Sequence, residues 1–184
     1  MSIAKDLFYA QQTLFTLFSA TNKLQIAGDK YLQDMTIRQV LALPSLFHAP
    51  EGKATINHIA RNMGTTKQNA KQIVDAMARK GYLSVAPSEQ DKRALHVSVT
   101  PEGEQIFKVC SERLDEFLAT IFCNFTTDEL EMICLLLQKL YSFDGTGQDN
   151  FEHKQHHTNV DEAIQLQFHQ KFATLRANVY ADEE

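Results

Sequence analysis

At 184 residues, 43 % hydrophobic and 22 % charged, the chain has the composition of a globular protein with room for one packed domain and an appendage. No apolar run approaches the roughly 18 residues of a spanning helix, and Met1–Asp6 lacks the basic region and small-residue cleavage site of a secretory signal, so a cytoplasmic protein is expected. The net charge of −5 hides an asymmetry: in residues 53–93, Lys53, Arg61, Lys67, Lys71, Arg79, Lys80, Lys92 and Arg93 outnumber Asp75, Glu89 and Asp91 by five, leaving the remainder with a surplus of ten negative charges.

Residues 5–27 are predicted as a first helix. Leu7, Leu14, Phe15, Phe18 and Ile26 recur near helical spacing, and Phe8 and Tyr9 add apolar load. That is more apolar surface than a lone first helix needs, which implies a partner. Gly28 and Asp29 are the expected stop. A second helix is expected from an N-cap at Thr36 through Val40, Leu41, Leu43 and Phe47, shortened or kinked by Pro44. The turn Ala49-Pro50-Glu51-Gly52 closes it.

Two short helices follow in close succession. Thr55 can cap the first, whose apolar set is Ile56, Ile59, Ala60 and Met63, one face at i, i+3, i+4, i+7. Gly64 breaks it. Thr65-Thr66-Lys67-Gln68 has the form of a capping box, with Thr65 as expected N-cap and Gln68 reaching back. The second helix buries Ala70, Ile73, Val74 and Met77 at the same spacing, and Gly81 stands where a C′ glycine belongs.

The period then changes to two. Leu83 and Val85 alternate with Ser84 and Ala86. After the polar stretch Pro87–Asp91, Leu95, Val97 and Val99 alternate with His96 and Ser98, which predicts a β-hairpin. Thr100 and Pro101 open a long helix as N-cap and N1. Its stripe runs Ile106, Phe107, Cys110, Leu114, Phe117, Leu118, Ile121, Phe122 and Phe125. A capping box from Thr126 to Glu129, with Phe125 and Leu130 as a hydrophobic staple, starts the next helix. Leu130, Ile133, Cys134, Leu137, Leu140 and Tyr141 are its expected inner face. Residues 144–158 look like a linker. A last helix is expected from Asn159, with Val160, Ile164, Phe168, Phe172, Leu175 and Val179 on one side.

The order helix, helix, turn, helix, hairpin over residues 36–100 is that of a winged helix-turn-helix. The fold class expected is mainly α (α+β), with long dimerisation helices at both ends. With Ala70, Ile73, Val74 and Met77 turned inward, the second short helix presents Lys67, Gln68, Lys71, Gln72 and Asp75 outward, and Asn69 toward one edge. Gln and Asn can pair bidentately with adenine in a major groove, and Lys can reach guanine or phosphate. Thr65 and Thr66 sit at the helix N-terminus, where amides and hydroxyls can meet phosphate. In the wing, Lys92 and Arg93 suit the negative potential of a narrow minor groove. Asp91 can hold Arg93 extended. The same groups could instead be a solvated helix face and a surface ion pair, which is worth little energetically.

These residues resemble the MarR family of bacterial regulators. The resemblance is carried by residues 55–64, by Thr65-Thr66-Lys67-Gln68-Asn69 through Arg79-Lys80-Gly81-Tyr82-Leu83, and above all by Asp91-Lys92-Arg93-Ala94 followed by Val97-Ser98-Val99-Thr100-Pro101-Glu102-Gly103. It covers roughly residues 5–143. It implies a homodimer built from the first and last helices on a pseudo-palindromic operator in double-stranded DNA. It also implies control by a small-molecule effector held between the dimerisation and DNA-binding parts. The first helix holds no cysteine, where oxidant-sensing members often carry one, and the 41 residues after Phe143 extend past the usual end.

Other chemistry has little support. Cys110, Cys123 and Cys134 fit neither a disulfide framework nor a metal knuckle, and all three are expected as buried small hydrophobes, with a redox-sensing thiol as the alternative. His153, His156 and His157, beside Glu152, could be drawn as a metal site, but they lie in linker-like sequence without thiols. No cofactor or metal is therefore expected. His58 and His96 are expected at a polar helix position and on the solvent side of a strand. No nucleophile elbow, phosphate loop or zinc-protease motif is present, so no enzyme is expected. The division expected is residues 1–34 with 101–143 for dimerisation, 35–100 for DNA binding, and 144–184 as linker and C-terminal helix. The competing reading is a winged-helix protein-interaction module without DNA binding.

Overall fold

The computed structural model describes residues 3–47, 49, 54–87 and 95–145, together with residues 166, 170, 172–174 and 177. Among the described residues up to Gly145, the helices and one hairpin follow in the order α1 (Ile3–Leu32), α2 (Ile37–Val40), α3 (Leu43–Phe47), α4 (Ile56–Asn62), α5 (Lys67–Arg79), β1 (Leu83–Pro87), β2 (Leu95–Val99), α6 (Pro101–Ile121) and α7 (Thr127–Tyr141). The fold is mainly helical, and its one described sheet is antiparallel, pairing Leu83 with Val99, Val85 with Val97 and Pro87 with Leu95. This is the winged helix-turn-helix order expected from the periodicity.

The first helix runs five residues past its expected stop. Gly28 stays helical because Ile37 packs on it; a Cβ there would lie 3.1 Å from Ile37 Cδ1. Asp29 does not end the helix either. Its Oδ1 accepts the Ile37 N–H at 2.7 Å and so ties α1 to the start of α2. The helix ends instead at Gln33, a non-glycine residue with φ of 60°. The expected second helix is two. Thr36 caps α2 in a full capping box, with Gln39 Oε1 accepting the Thr36 N–H at 3.0 Å. The chain then turns at Leu41–Ala42, and Pro44 stands in the first turn of α3, where its missing N–H costs nothing.

The core lies under the helix-turn-helix. Leu32, Ile59, Ala70, Val74, Met77 and Cys110 are fully buried, and Met35, Ala42 and Val97 nearly so. The cluster draws Leu32 from α1 and Phe107 and Cys110 from α6. Thr100 seals the junction of hairpin and α6: its hydroxyl donates to Gly81 O at 2.6 Å and accepts the Gly103 N–H at 3.0 Å.

The flanks differ. α7 has no buried residue at all. Its expected inner face is half open: Leu130, Ile133 and Tyr141 are half-buried, whereas Cys134, Leu137 and Leu140 are exposed, as are Met132, Leu135 and Leu136. Cys134 therefore departs from the expectation of three buried cysteines, which Cys110 and Cys123 meet. α7 folds on its own cap, Thr126 with Glu129, and touches the rest through Tyr141, whose ring lies against Gly64 and whose hydroxyl donates to Arg61 O at 3.4 Å. In α1, Leu7, Phe8, Tyr9, Leu14, Phe15 and Phe18 are likewise exposed. No described helix is long and apolar enough to cross a membrane.

Lys53, most of the turn 49–52, the stretch 88–94, the linker beyond Gly145, the histidines at 153, 156 and 157, and nearly all of the expected last helix lie outside the described residues.

Candidate nucleic-acid interface

The turn between α4 and α5 sets where the reading helix begins. Gly64 has φ of 58°, a conformation that glycine adopts without penalty. It closes the C-terminus of α4: the Thr65 N–H reaches Ala60 O at 2.9 Å and the Gly64 N–H reaches Arg61 O at 3.1 Å. Thr65 is thereby used up in ending α4, and the cap of α5 moves one residue on. Thr66, not Thr65, is the N-cap, its Oγ1 accepting the Asn69 N–H at 3.2 Å. Thr65 keeps a supporting role, with its hydroxyl accepting from Asn69 Nδ2 at 3.3 Å.

From that cap, Ala70, Val74 and Met77 point into the core, Ile73 is half-buried, and Thr66, Lys67, Gln68, Asn69, Lys71 and Gln72 are all exposed. The first two turns of α5 thus carry an amide and ammonium row above a helix N-terminus, where the peptide dipoles favour negative charge. Lys67 makes no ion pair among the described residues. Lys71 is partly neutralised by Asp75, 2.6 Å away at i+4. Asp75 is half-buried and turned to that pair, so it belongs less to the outward row than its spacing suggested. At the far end, Gly81 (φ 79°) lets the Tyr82 N–H return to Met77 O at 3.0 Å and delivers the chain into β1.

A shallow groove of about 260 Å³ runs beside this row. Gln25 and Asp29 of α1, Thr36, Arg38 and Gln39 of the α2 start, and Asn69, Gln72, Ile73 and Ala76 of α5 line it. Arg38 and Gln25 therefore share a surface with Asn69 and Gln72, which the charge count over residues 53–93 missed. The available signal was the Thr36-Ile37-Arg38-Gln39 capping box, which sets a cation inside the first turn of a short helix.

The hairpin stands beside α4. His96 pairs with Thr55 in a β-bridge, and the Val97 N–H donates to Ala54 O at 2.8 Å. Packed this way, His96 is half-buried with its Nδ1 enclosed, not the free solvent-side position expected. His58 is half-buried too, bonded through Nε2 to Asn62 Nδ2 at 2.9 Å. Asp91, Lys92 and Arg93 lie outside the described residues; the ladder that leads to them is paired up to Pro87 and Leu95. No group of three or more potential metal ligands occurs among the described residues.

Residues 33–94 match the model of the MarR family. The chain is 23 % identical over 143 residues to the transcriptional activatory protein BadR of Rhodopseudomonas palustris, covering 73 % of this chain and 82 % of that one. Among solved structures it resembles S. aureus MepR in complex with DNA, with a TM-score of 0.61 and 22 % identity over 71 % of this chain and 96 % of that one. It also resembles CouR from Rhodococcus jostii RHA1, bound to p-coumaroyl-CoA, with a TM-score of 0.61 and 19 % identity over 72 % and 95 %.

Proposed function

We propose, from the premise that this chain is a MarR-family DNA-binding transcription regulator, that it holds double-stranded DNA as a homodimer through two zones per protomer. Thr65, Thr66, Lys67, Gln68, Asn69, Lys71 and Gln72 form the major-groove zone. Gln68, Asn69 and Gln72 read base edges, Lys67 and Lys71 meet phosphate or guanine, and the threonines with the α5 amides meet phosphate. Lys92 and Arg93 form the minor-groove zone, with Asp91 orienting Arg93. Residues 35–100 make up this reading unit.

One observation carries the reading: the capped, exposed first two turns of α5 present cations and amides with no acid among residues 65–72. The homodimer is supported by the open apolar faces of α1 and α7, which belong to the scaffold of residues 1–34 and 101–143. A small-molecule effector is supported by the fold likeness to CouR, whose structure holds p-coumaroyl-CoA. The chain acts in the cytoplasm, by binding and not by catalysis.

The test is binding of purified protein to the duplex upstream of its own gene and to a random-sequence duplex pool, followed across salt concentration. Binding should weaken steeply with salt, the logarithmic slope scaling at about 0.9 per phosphate neutralised. Lys67→Met should weaken all duplexes alike and flatten the slope by about 1, whereas Gln72→Ala should cost about 1–3 kcal/mol at selected base pairs only. Salt-insensitive binding, or none, together with a tight protein partner would leave the interaction-module reading in its place.

A further inference from the structure

The turn between α1 and α2 is strained and tied from two sides. Gln33 holds φ of 60° without being glycine, a conformation that persists only where the surroundings impose it. Leu32 and Met35, on either side, are 0 % and 1 % exposed and anchor the turn in the core. From α6, Arg113 Nη1 donates to Leu32 O at 2.8 Å and to Asp34 Oδ2 at 2.7 Å. From the C-cap of α5, Lys80 Nζ donates to Asp34 O at 2.6 Å. Asp34 thus takes one cation on its carboxylate and another on its carbonyl, from residues that lie on different elements.

We infer that the Leu32–Met35 turn is a mechanical joint between the helices that flank the reading unit and the reading helix, with Arg113 and Lys80 as its positioning residues. The inference rests on the DNA-reading role proposed for α5. Arg113 ties α6 to the end of α1, and any slide of one against the other moves Asp34. Lys80 passes that displacement to the end of α5 opposite its reading turns. A helix of 13 residues spans about 20 Å, so a small shift at Lys80 re-aims Lys67 and Gln68. The inner side of the joint is dry: Cys110, one turn before Arg113, is fully buried, and desolvation, then the Asp34 charge, hold its thiol pKa up. Lys80 is further steadied over the Tyr82 ring at 5.7 Å.

The test uses full-length protein with Arg113→Gln, Lys80→Met and the double variant. Hydrogen exchange is measured on unbound protein, and affinity on a duplex that the wild type selects from a random pool. Each single variant should speed exchange over residues 67–80 and weaken binding roughly tenfold. The double should be no worse than the poorer single, because both act through Asp34. The salt slope and the sedimentation behaviour should stay as in wild type, and Lys80→Arg should restore binding. Additive losses would overturn the joint. So would a slope flatter by about 1 in Lys80→Met, which would make Lys80 a phosphate contact, or a changed oligomeric state in Arg113→Gln, which would make Arg113 a scaffold residue. Arg113→Lys, a milder change, carries the same comparison if the glutamine variant fails to fold. If the wild type selects no duplex, the DNA reading fails, and unchanged exchange over residues 67–80 in the variants still overturns the joint.

Discussion

Ile59, Val74 and Met77 lose all contact with solvent inside the helix-turn-helix, whereas Phe15 and Phe18 of α1 and Leu135 and Leu136 of α7 stay more than half exposed. Both regions carry amphipathic helices, and α4, α5 and α7 alike start on a threonine cap. They differ in whether the chain itself supplies what the apolar face needs. The winged-helix region closes its core with α1, α6 and the hairpin, so Ile59, Val74, Met77 and Val97 find their partners within the chain. The outer helices have no such partner among the described residues, and an open apolar surface of this kind marks an interaction site. One region is thus a finished body, and the other leaves apolar faces open, the surface that the proposed function gives to pairing.

The sharpest way to break that division is to damage the finished body. Ile59→Ala removes a fully buried side chain and should destabilise the protein by about 2–5 kcal/mol, measured by denaturant unfolding at fixed protein concentration. A loss near zero would mean that the helix-turn-helix is not independently packed. Next, the paired change Phe15→Glu with Leu136→Glu places charge on both open faces. It should convert the proposed dimer to monomer in sedimentation equilibrium while helical circular dichroism is kept. It should also weaken duplex binding at least about 100-fold through loss of bivalency. A variant that remains dimeric would remove these faces from the interface.

The smallest effect concerns α7 alone. Glu129 has its carboxyl pKa held below the ordinary glutamate value, first by the Thr126 N–H at 2.8 Å and then by the Thr126 hydroxyl at 3.0 Å. A carboxylate pKa lowered on folding contributes stability that is present above the unfolded value. That contribution is lost as pH falls through the lower folded value. An acid titration of helical signal should therefore show a minor phase, below the usual glutamate range, that Glu129→Gln lacks, since glutamine keeps the capping geometry without titrating. Identical titrations would mean that the box contributes nothing measurable.

Much of the fold was legible because it is local. The i, i+3, i+4, i+7 sets of α4 and α5, the caps at Thr55, Thr100 and Thr126, Gly81 and the two paired strands all depend on neighbours within a few residues and stand as expected, except that in β2 Leu95 is exposed and His96 half-buried. The misreadings share a different cause. Thr65 looked like the cap of α5 because the capping-box pattern says nothing of how the preceding helix ends, and Gly64 claims Thr65 for α4. Gly28 looked like a stop because its packing partner, Ile37, lies beyond the turn. Arg38 was missed because its place beside Asn69 and Gln72, in the lining of one groove, depends on how α2 sits against α5.

By itself the sequence determined the helix-turn-helix and hairpin order, the buried faces of α4 and α5 and the polar row from Thr66 to Gln72, since backbone hydrogen bonding and side-chain periodicity act over one or two turns. Only the tertiary structure decided which of these faces are satisfied. It left the stripe of α7 open and brought Arg113 to Asp34 across 79 positions of chain. Such contacts depend on how helices cross, and crossing is settled by the packing of the whole core and not by any window of residues.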